Sequence, residues 1–331
     1  MMKYSILIPV YNRPDEVDEL LQSLTAQTLK SFEVVVVDDG STLPCREVTN
    51  RYAPQLTLHY YSKPNSGPGP TRNYAAERAH GTYLLILDSD CILPPGYLEA
   101  VDRALKQRPL DAFGGPDRAH DSFTPMQKAI NYSMTSFFTT GGIRGGQKKL
   151  DKFYPRSFNM GVRREVYQAL GGFSPMRFGE DIDFSIRLFD SGYRCGLIPE
   201  AWVWHKRRTD LRKFFKQVHN SGMARINLYK RHPSSLKCVH LLPTAFTLGV
   251  LFLLCGSLWC AYSLMPIAAY LLLVLTDASL RTRSFHIGLL SVAASITQLT
   301  GYGSGFLRAW WSRCICGKRE EAEAFKTNFY Q

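Results

Sequence analysis

The sequence predicts an α/β fold, a mostly parallel sheet flanked by helices, followed by a C-terminal α-helical region suited to a membrane. Three observations predict this arrangement. Short apolar segments alternate with segments of helical periodicity, acidic residues follow the apolar segments, and residues 241–276 contain no charged side chain. Near-continuous apolar strands joined by helices are typical of parallel sheets covered on both faces.

The first elements are predicted as strand, loop and helix. Tyr4 to Val10 is apolar, and beyond Pro14 apolar residues recur at helical spacing up to Leu24. Further strands are predicted at 32–37, 56–61 and 83–87, with an Ala-rich helix at 70–80. The strands at 32–37 and 83–87 end in Asp38-Asp39-Gly40-Ser41 and Asp88-Ser89-Asp90. Because such sheets bind ligands at the carboxyl ends of their strands, these acidic clusters mark the predicted site.

Residues beyond Asp111 are less regular. Glycines and basic residues predict a mobile basic loop, which contains Gly141, Gly142, Arg144, Gly145, Gly146, Lys148 and Lys149. Order returns with a strand at 157–162, a helix at 179–190, short strands at 193–198 and 201–204, and a basic amphipathic helix at 210–232. The helix at 179–190 begins with acidic residues, which suit the positive end of its dipole.

The last part of the chain predicts a membrane region at 236–311 and a cytoplasmic tail at 312–331. The segments 241–262 and 264–280 are predicted to cross the bilayer. Residues 287–311 carry Leu289 and Ile296 on one face and Ser291 and Ser295 on the other, as in an interfacial or re-entrant helix. Basic residues flanking these segments place the catalytic domain, 1–235, on the cytoplasmic side of the cell inner membrane. A buried hairpin of a soluble protein is the alternative.

The net charge of +12 indicates an anionic partner, which could be nucleic acid, a nucleotide diphosphate or a membrane surface. The eight cysteines form no paired C-x-x-C sets, which predicts reduced thiols in the cytoplasm. Cys314 and Cys316 could be lipidated, bind metal or be plain thiols. The chain starts without a charged-then-apolar leader, so we expect no export of the N-terminal domain.

Asp88-Ser89-Asp90 is the strongest local signal. A turn at a strand end can direct two carboxylates to one divalent ion, and Mg²⁺ or Mn²⁺ prefers such oxygen ligands. A cation that bridges a diphosphate neutralises the charge that builds as a nucleotide leaves. Paired acids also occur in solvated turns, so the motif gains meaning only from its context.

Four motifs in this order resemble the family 2 glycosyltransferases over roughly residues 3–232. They are Ile8-Pro9-Val10-Tyr11-Asn12, Val35-Val36-Val37-Asp38-Asp39-Gly40-Ser41, Asp88-Ser89-Asp90 and Gly179-Glu180-Asp181. The resemblance implies a GT-A fold, a nucleoside-diphosphate sugar donor with UDP favoured, Mn²⁺ or Mg²⁺, and inversion at the anomeric carbon. The chain lacks the Gln-x-x-Arg-Trp motif of processive members, and two spans are too few for a polymer channel. A hexosyltransferase that moves one sugar in glycan or glycolipid biosynthesis is therefore expected.

The resemblance also implies roles for individual residues. Donor contacts would come from Pro9, Tyr11, Val37, Asp39, Arg72, Asp88, Ser89 and Asp90. Asp39 would accept a hydrogen bond from the nucleotide, and Arg72 would meet the diphosphate. Asp90 would hold the metal, with His205 as a further ligand. Asp181 would be the general base, and Glu180 would bind the acceptor or orient the base. Purely structural roles stay open: a surface charge for Arg72, helix-dipole partners for the two acids, and a structural His205.

The acceptor is predicted to be lipid-linked or membrane-associated. The basic helix at 210–232, next to a membrane segment, suits anionic headgroups or a lipid diphosphate, with a solvated helix face as the alternative. Arg13 stands where lipid-phosphate sugar transferases usually have Glu, which argues against a dolichyl-phosphate-type specificity. A nucleotidyltransferase and a non-catalytic membrane scaffold are the competing classes. A nucleic-acid-binding module would explain neither the membrane segment nor the acidic loops, so no nucleic-acid partner is expected.

Overall fold

The computed structural model describes residues 2–118, 123–141, 153–206 and 208–318. The chain divides into an α/β unit, residues 2–118 and 153–205, and a helical unit made of the described parts of 119–152 and 206–320. The predicted mobile loop lies outside the described residues apart from Gly141. The catalytic boundary at residue 235 stays a prediction, although by packing the basic helix belongs to the helical unit.

The strands and helices are numbered in chain order. The strands are β1 (Tyr4–Val10), β2 (Phe32–Asp38), β3 (Thr57–Ser62), β4 (Tyr83–Leu87), β5 (Cys91–Ile92), β6 (Ala112–Gly114), β7 (Asp117–Arg118), β8 (Asn159–Arg163), β9 (Cys195–Leu197) and β10 (Val203–His205). The helices are α1 (Pro14–Thr25), α2 (Arg46–Tyr52), α3 (Pro68–Glu77), α4 (Tyr97–Gln107), α5 (Pro125–Thr135), α6 (Phe137–Thr140), α7 (Arg164–Ala169), α8 (Glu180–Asp190), α9 (Leu211–Arg231), α10 (Leu242–Gly256), α11 (Met265–Thr282) and α12 (Phe285–Trp310).

Seven strands form the main sheet of the α/β unit, in the order β3-β2-β1-β4-β8-β6-β9. β1 pairs in parallel with β2 and β4, and β2 pairs in parallel with β3. β8 runs antiparallel to β4 and β6. The predicted mostly parallel sheet is confirmed. A second, small sheet, β5-β10-β7, was not predicted.

Side chains of the central strands enter two cores, one on each face of the sheet. In β1, Ile6 and Ile8 pack with Leu24 of α1, whereas Leu7 packs on the opposite face with Phe184 of α8. All of these side chains are fully buried. Because strand side chains alternate between faces, a strand covered on both sides must be apolar throughout. That requirement explains the unbroken apolar run from Ile6 to Ile8.

α12 is the central helix of the helical unit, since α5, α9, α10 and α11 all pack against it. The backbones of α9 and α12 come very close. A Cβ atom on Gly222 would lie 2.1 Å from the carbonyl oxygen of Tyr302, and one on Gly305 would lie 2.0 Å from that of His219. Only glycine fits at these two positions, and small residues at helix crossings are typical of helices that pack in membranes.

Two helical segments of this unit, Cys238–Gly256 and Ala261–Thr282, are long and apolar enough to cross a membrane. They overlap the predicted spans at 241–262 and 264–280. An interfacial helix would turn its polar face toward water, but α12 turns its serine face toward the protein. Its Ser291 and Ser295 are fully buried against neighbouring helices, while Leu289 and Ile296 are exposed. The interfacial position of residues 287–311 stays a prediction.

Candidate active site

The loops that follow β1, β2 and β4 carry most of the predicted site residues. The pairing registers of β1 with β2 and of β1 with β4 bring the carboxyl ends of these neighbouring strands to the same edge of the sheet. Tyr11, Asp39 and Asp88 to Asp90 therefore lie along that edge. Ligands of open parallel sheets bind at such an edge.

The small sheet places a histidine beside Asp90. β10 runs antiparallel to β5, so that His205 pairs with Cys91. The Nε2 atom of His205 lies 3.2 Å from Oδ1 of Asp90. Its ring stacks on Phe158, with the ring centroids 4.7 Å apart. The two residues predicted as metal ligands are thus adjacent, although they are far apart in the sequence.

Asp90 is buried between His205 and a second basic side chain. The Nη1 atom of Arg13 donates a hydrogen bond to Oδ2 of Asp90 at 2.7 Å. Burial by itself would raise the pKa of Asp90, but His205 and Arg13 outweigh it and hold the pKa well below its usual range. The carboxylate is therefore charged at neutral pH. Its Oδ1 atom is buried and faces Nε2 of His205.

A divalent cation fits this group of atoms, because Oδ1 of Asp90 and Nε2 of His205 lie side by side and both become ligand atoms once the imidazole has lost its proton. Asp90, Cys91 and His205 present ligand atoms that all lie within 4.8 Å of one another. Cys91 is the least suitable of the three, because its buried thiol donates to the carbonyl oxygen of Phe158 at 3.4 Å. Burial also raises the pKa of Cys91, which keeps the thiol protonated. Since Mn²⁺ and Mg²⁺ prefer oxygen and nitrogen over a thiol, Asp90 and His205 are the residues that would hold the ion.

Arg72 connects the loop after β4 with the start of α8. It lies on α3, is buried, and donates to Oδ1 of Asp88 at 2.7 Å and to Oε1 of Glu180 at 2.9 Å. Burial would lower the pKa of Arg72, but the charges of Asp88 and Glu180 outweigh it and raise the pKa. Arg72 is therefore a buried, charged bridge and not a surface charge. Its contact with a diphosphate stays a prediction.

Glu180 and Asp181 form the first turn of α8 and are both buried. Oδ2 of Asp181 lies 2.8 Å from Nε of Arg156, and Oδ1 accepts a hydrogen bond from the backbone N–H of Ile182 at 2.8 Å. Burial raises the pKa of Glu180 to about 7, against the opposing charge of Arg72 and with support from the negative charge of Asp181. Adjacent carboxyl groups with different partners are suited to different tasks in proton transfer.

Asp39 is engaged within the protein. Its carboxylate accepts hydrogen bonds from the backbone N–H groups of Ser66, at 2.9 Å, and Gly67, at 2.8 Å, and pairs with Lys63. The side chain is fully buried. That this carboxylate accepts a hydrogen bond from a nucleotide stays a prediction, and it requires the buried side chain to become accessible.

The remaining predicted donor residues differ in exposure. Pro9 and Tyr11 are half-buried, and Ser89 is buried. Val37 lies in the core on the face of the sheet that α3 and α8 cover, with no exposed surface. Val37 can therefore offer a ligand only its backbone atoms.

The sequence did not reveal the partners of three predicted residues. Arg156 pairs with Asp181, Lys63 pairs with Asp39, and Phe158 stacks on His205. The sequence showed Arg13 only as a residue that differs from the Glu of lipid-phosphate sugar transferases. It did not show that Arg13 pairs with Asp90. Each of these contacts joins loops that are distant in sequence, so no spacing pattern could have predicted it.

Comparison with known proteins identifies this arrangement. Residues 5–171 match the model of glycosyl transferase family 2. A stretch of 137 residues is 32% identical to an uncharacterized glycosyltransferase of Rickettsia felis, which takes in 41% of this chain and 22% of that protein. The chain spans less than two thirds of the length of the first curated relatives that it matches.

Two solved structures share the fold. The mannosyltransferase PcManGT from Pyrobaculum calidifontis, in complex with GDP-Man and Mn²⁺, superposes with a TM-score of 0.61 at 18% identity, over 94% of this chain and 88% of that one. S. aureus TarS 1–349 in complex with UDP-GlcNAc superposes with a TM-score of 0.51 at 18% identity, over 97% of this chain and 93% of that one. The fold is GT-A, as predicted. The chain belongs to the family 2 glycosyltransferases, which confirms the resemblance drawn from its motifs.

Proposed function

We propose that this chain transfers one sugar from a nucleoside-diphosphate sugar to a membrane-associated, lipid-linked acceptor, with inversion at the anomeric carbon. The observation that carries the proposal is the buried bridge of Arg72 between Asp88 and Glu180. Arg72 thereby links the loop after β4, which would bind the donor and the metal, to the first turn of α8, which carries the candidate base Asp181. A donor and an acceptor must meet between two such groups for a displacement to occur.

On the donor side, the loops after β1, β2 and β4 would bind the nucleotide. Complexes of fold neighbours with GDP-Man and with UDP-GlcNAc support a nucleotide-sugar donor without choosing the base. UDP is favoured by the resemblance of the motifs. Asp90 and His205 would hold Mn²⁺ or Mg²⁺, which when bound neutralises charge on the leaving diphosphate. Arg72, fixed by its two carboxylate partners, would add a second positive charge there.

On the acceptor side, Asp181 would act as the general base. The acceptor oxygen attacks the anomeric carbon opposite the diphosphate, so one C–O bond forms as the other breaks and the configuration inverts. The acceptor hydroxyl gives its proton to the carboxylate of Asp181. Arg156, which pairs with Asp181, would have to release one carboxylate oxygen to the acceptor. Glu180, held by Arg72, would orient the base or bind the acceptor.

The membrane part of the proposal rests on the helical unit. Two segments are long and apolar enough to cross a bilayer. In the described residues of this unit Asp210 and Asp277 are the only acids, whereas Lys and Arg number fifteen. A basic, membrane-inserted unit favours an acceptor among anionic lipids on the cytoplasmic face of the cell inner membrane. Single transfer is favoured over polymer synthesis because two spans are too few to form a channel.

The test uses the full chain, purified in detergent with Mn²⁺. Nucleotide sugars are screened for thermal stabilisation, and the stabilising donor is then assayed for transfer to lipid-linked acceptors that carry a free hydroxyl group. We expect release of the nucleoside diphosphate. Release of pyrophosphate would instead make the chain a nucleotidyltransferase, and no response to any donor would contradict the proposal.

The variant Asp181→Asn is expected to lower kcat by about a thousandfold, because it removes a positioned general base. Its melting temperature should stay close to that of the wild type. Asp190→Asn, an exposed acid at the other end of α8, is the matched control and should keep full activity. Equal activity of Asp181→Asn and the wild type would favour a scaffold without catalysis.

A further inference from the structure

The residues that lead into β8 border both halves of the candidate site. Arg156 pairs with Asp181, the candidate base, and the backbone N–H of Ser157 donates a hydrogen bond to the same carboxylate at 3.4 Å. The next residue, Phe158, stacks on the candidate metal ligand His205. In the proposed reaction the sugar lies between the diphosphate at the metal and the base. The Arg156 side chain is therefore close to the place where the anomeric carbon reacts.

The backbone on both sides of Arg156 is anchored. The hydroxyl of Ser185, on α8, donates a hydrogen bond to the carbonyl oxygen of Pro155 at 3.3 Å. The backbone N–H of Asn159 donates to the carbonyl oxygen of Arg156 at 3.0 Å. Asn159 is in turn held by the hydroxyl of Tyr97 at 2.6 Å. A change in the contact between Arg156 and the base would therefore be a rotation of the arginine side chain, with the backbone left in place.

Arg156 lies on the solvent side of the candidate base. The Asp181 side chain is 8% exposed, whereas that of Arg156 is 40% exposed. Oδ2 of Asp181 lies 2.8 Å from Nε of Arg156, and Oδ1 accepts a hydrogen bond from the backbone N–H of Ile182 at 2.8 Å. Both carboxylate oxygens thus have partners within the α/β unit. A hydroxyl or water molecule that is to give its proton to Oδ2 must first displace the guanidinium.

Two arginines pair with the two adjacent acids of α8 in different ways. Arg72 is buried together with Glu180, and separating a buried pair is costly. Arg156 is half-exposed, and pairs of this kind contribute little to stability because water solvates the separated charges. The partner of Glu180 is therefore fixed, whereas the partner of Asp181 is easily displaced by a bound molecule.

We propose that Arg156 closes the candidate base Asp181 to water until an acceptor displaces the guanidinium. The inference rests on the proposed function for the role of Asp181. An acceptor gains binding energy from contacts away from its reacting hydroxyl and can use that energy to displace Arg156, whereas a single water molecule has no such contacts. Arg156 is thus a positioning residue that favours transfer over hydrolysis.

The reaction that Arg156 suppresses is loss of the donor to water. With the base open, Asp181 takes a proton from water while the water oxygen attacks the anomeric carbon. The bond from that carbon to the diphosphate oxygen breaks, and the products are the free sugar and the nucleoside diphosphate. Enzymes that use reactive donors commonly exclude water from the site for this reason.

The first experiment measures donor hydrolysis with no acceptor present. The full chain in detergent with Mn²⁺ is incubated with UDP-GlcNAc or GDP-Man, and release of the nucleoside diphosphate is followed. Arg156→Gln is expected to raise kcat for hydrolysis about tenfold over the wild type, with KM for the donor unchanged. A rate equal to or below that of the wild type, including no release by either protein, would overturn the inference.

Three further variants show whether the gain comes from opening the base. Arg156→Met keeps the unbranched stem without the charge and should show the same gain, so the test does not depend on the folding of one variant. Arg156→Lys keeps a cation and should stay close to the wild type. In the double variant of Arg156→Gln and Asp181→Asn the gain should disappear, because water then lacks its base. A gain that survives Asp181→Asn would overturn the inference.

The matched control is Arg163→Gln. The Arg163 side chain, on β8, is 37% exposed and pairs with Asp111 at 3.4 Å, so it has nearly the exposure of Arg156 and also pairs with an acid. It should hydrolyse the donor at the rate of the wild type. A gain in Arg163→Gln equal to that in Arg156→Gln would mean that loss of a surface arginine has a general effect, and would also overturn the inference.

These outcomes separate the inference from the proposed function. If Asp181→Asn loses activity while Arg156→Gln hydrolyses the donor no faster than the wild type, the role of Arg156 fails and the proposed function stands. If Asp181→Asn transfers and hydrolyses the donor as the wild type does, the base assigned in the proposed function fails, and the role of Arg156 fails with it.

Discussion

The two units of the chain distribute polar and apolar side chains in opposite ways. In the α/β unit, apolar strands are buried, and buried charges such as Arg72 and Asp90 have partners of opposite charge. In the helical unit, Ser291 and Ser295 are buried, whereas Leu248 and Phe252 are exposed. In water the hydrophobic effect favours burial of apolar side chains. In lipid that driving force is absent, and helices pack through small residues instead. The α/β unit therefore has the burial pattern of a fold in water, and the helical unit has the exposed apolar side chains that the proposed membrane insertion requires.

The largest effect on stability is expected from Arg72→Gln. The substitution leaves the carboxylates of Asp88 and Glu180 without their shared cation in a buried site, which costs about 3–5 kcal/mol. Urea unfolding or thermal melting measures this loss. Arg103→Gln, an exposed arginine of α4, is the control and should change little. If the two variants melt alike, the buried bridge does not stabilise the α/β unit, and adding Glu180→Gln to Arg72→Gln should then recover nothing.

A charge placed on the exposed apolar surface of the helical unit tests whether that surface faces lipid. Leu248 lies near the middle of the segment Cys238–Gly256 and is 49% exposed. If this surface faces lipid, Leu248→Arg costs about 3 kcal/mol of insertion free energy and shifts protein out of the carbonate-resistant membrane fraction. Leu43→Arg is the control, since Leu43 is 61% exposed in the α/β unit. Unchanged membrane retention of Leu248→Arg would contradict a lipid-facing α10.

The sequence predicted several strands and helices from their own apolar pattern, but it did not predict α2 or α4. β1 and β4 have the predicted bounds, and α8 begins one residue after the predicted Gly179. The helix α5 was missed, because its burial depends on contacts with α9 and α12. The antiparallel direction of β8 was also missed, since strand direction depends on the path of the connections and leaves no mark on the strand.

The roles of the predicted site residues stay predictions, and the sequence did not show the contacts that these residues make. Motifs marked Asp88, Asp90, Glu180 and Asp181, but the Arg72 bridge depends on tertiary contact between three elements. The interfacial position of residues 287–311 also stays a prediction, since it was inferred from a polar stripe on α12. In the helical unit the serine stripe packs inward instead.

Glu180 is expected to make stability depend on pH. Burial raises its pKa to about 7 in the folded state, whereas an unfolded glutamate titrates near 4.3. The folded protein therefore binds this proton more tightly than the unfolded chain does. The resulting contribution to the free energy of unfolding is fully present below about pH 4 and is lost as the pH rises toward 7. The expected loss by pH 7 is on the order of 3 kcal/mol.

Melting curves of the wild type and Glu180→Gln between about pH 4 and pH 8 measure this effect. The melting temperature of the wild type should fall relative to that of the variant as the pH rises through this range. Glu47→Gln, an exposed glutamate of α2, is the control and should track the wild type. A constant difference between the wild type and Glu180→Gln would mean that Arg72 keeps Glu180 ionised throughout.

The smallest effect concerns Arg13, which occupies Oδ2 of Asp90. A cation bound to Asp90 competes with this guanidinium, so Arg13→Gln should tighten Mn²⁺ binding in the absence of nucleotide by about tenfold, or ~1.4 kcal/mol. Calorimetry on the full chain measures the affinity without any catalytic readout. Asp90→Asn should abolish binding. Arg51→Gln breaks an exposed pair with Asp18 at 3.2 Å and should leave the affinity unchanged, because exposed pairs contribute little. Weaker Mn²⁺ binding by Arg13→Gln would mean that Arg13 organises Asp90 for the metal and does not compete with it.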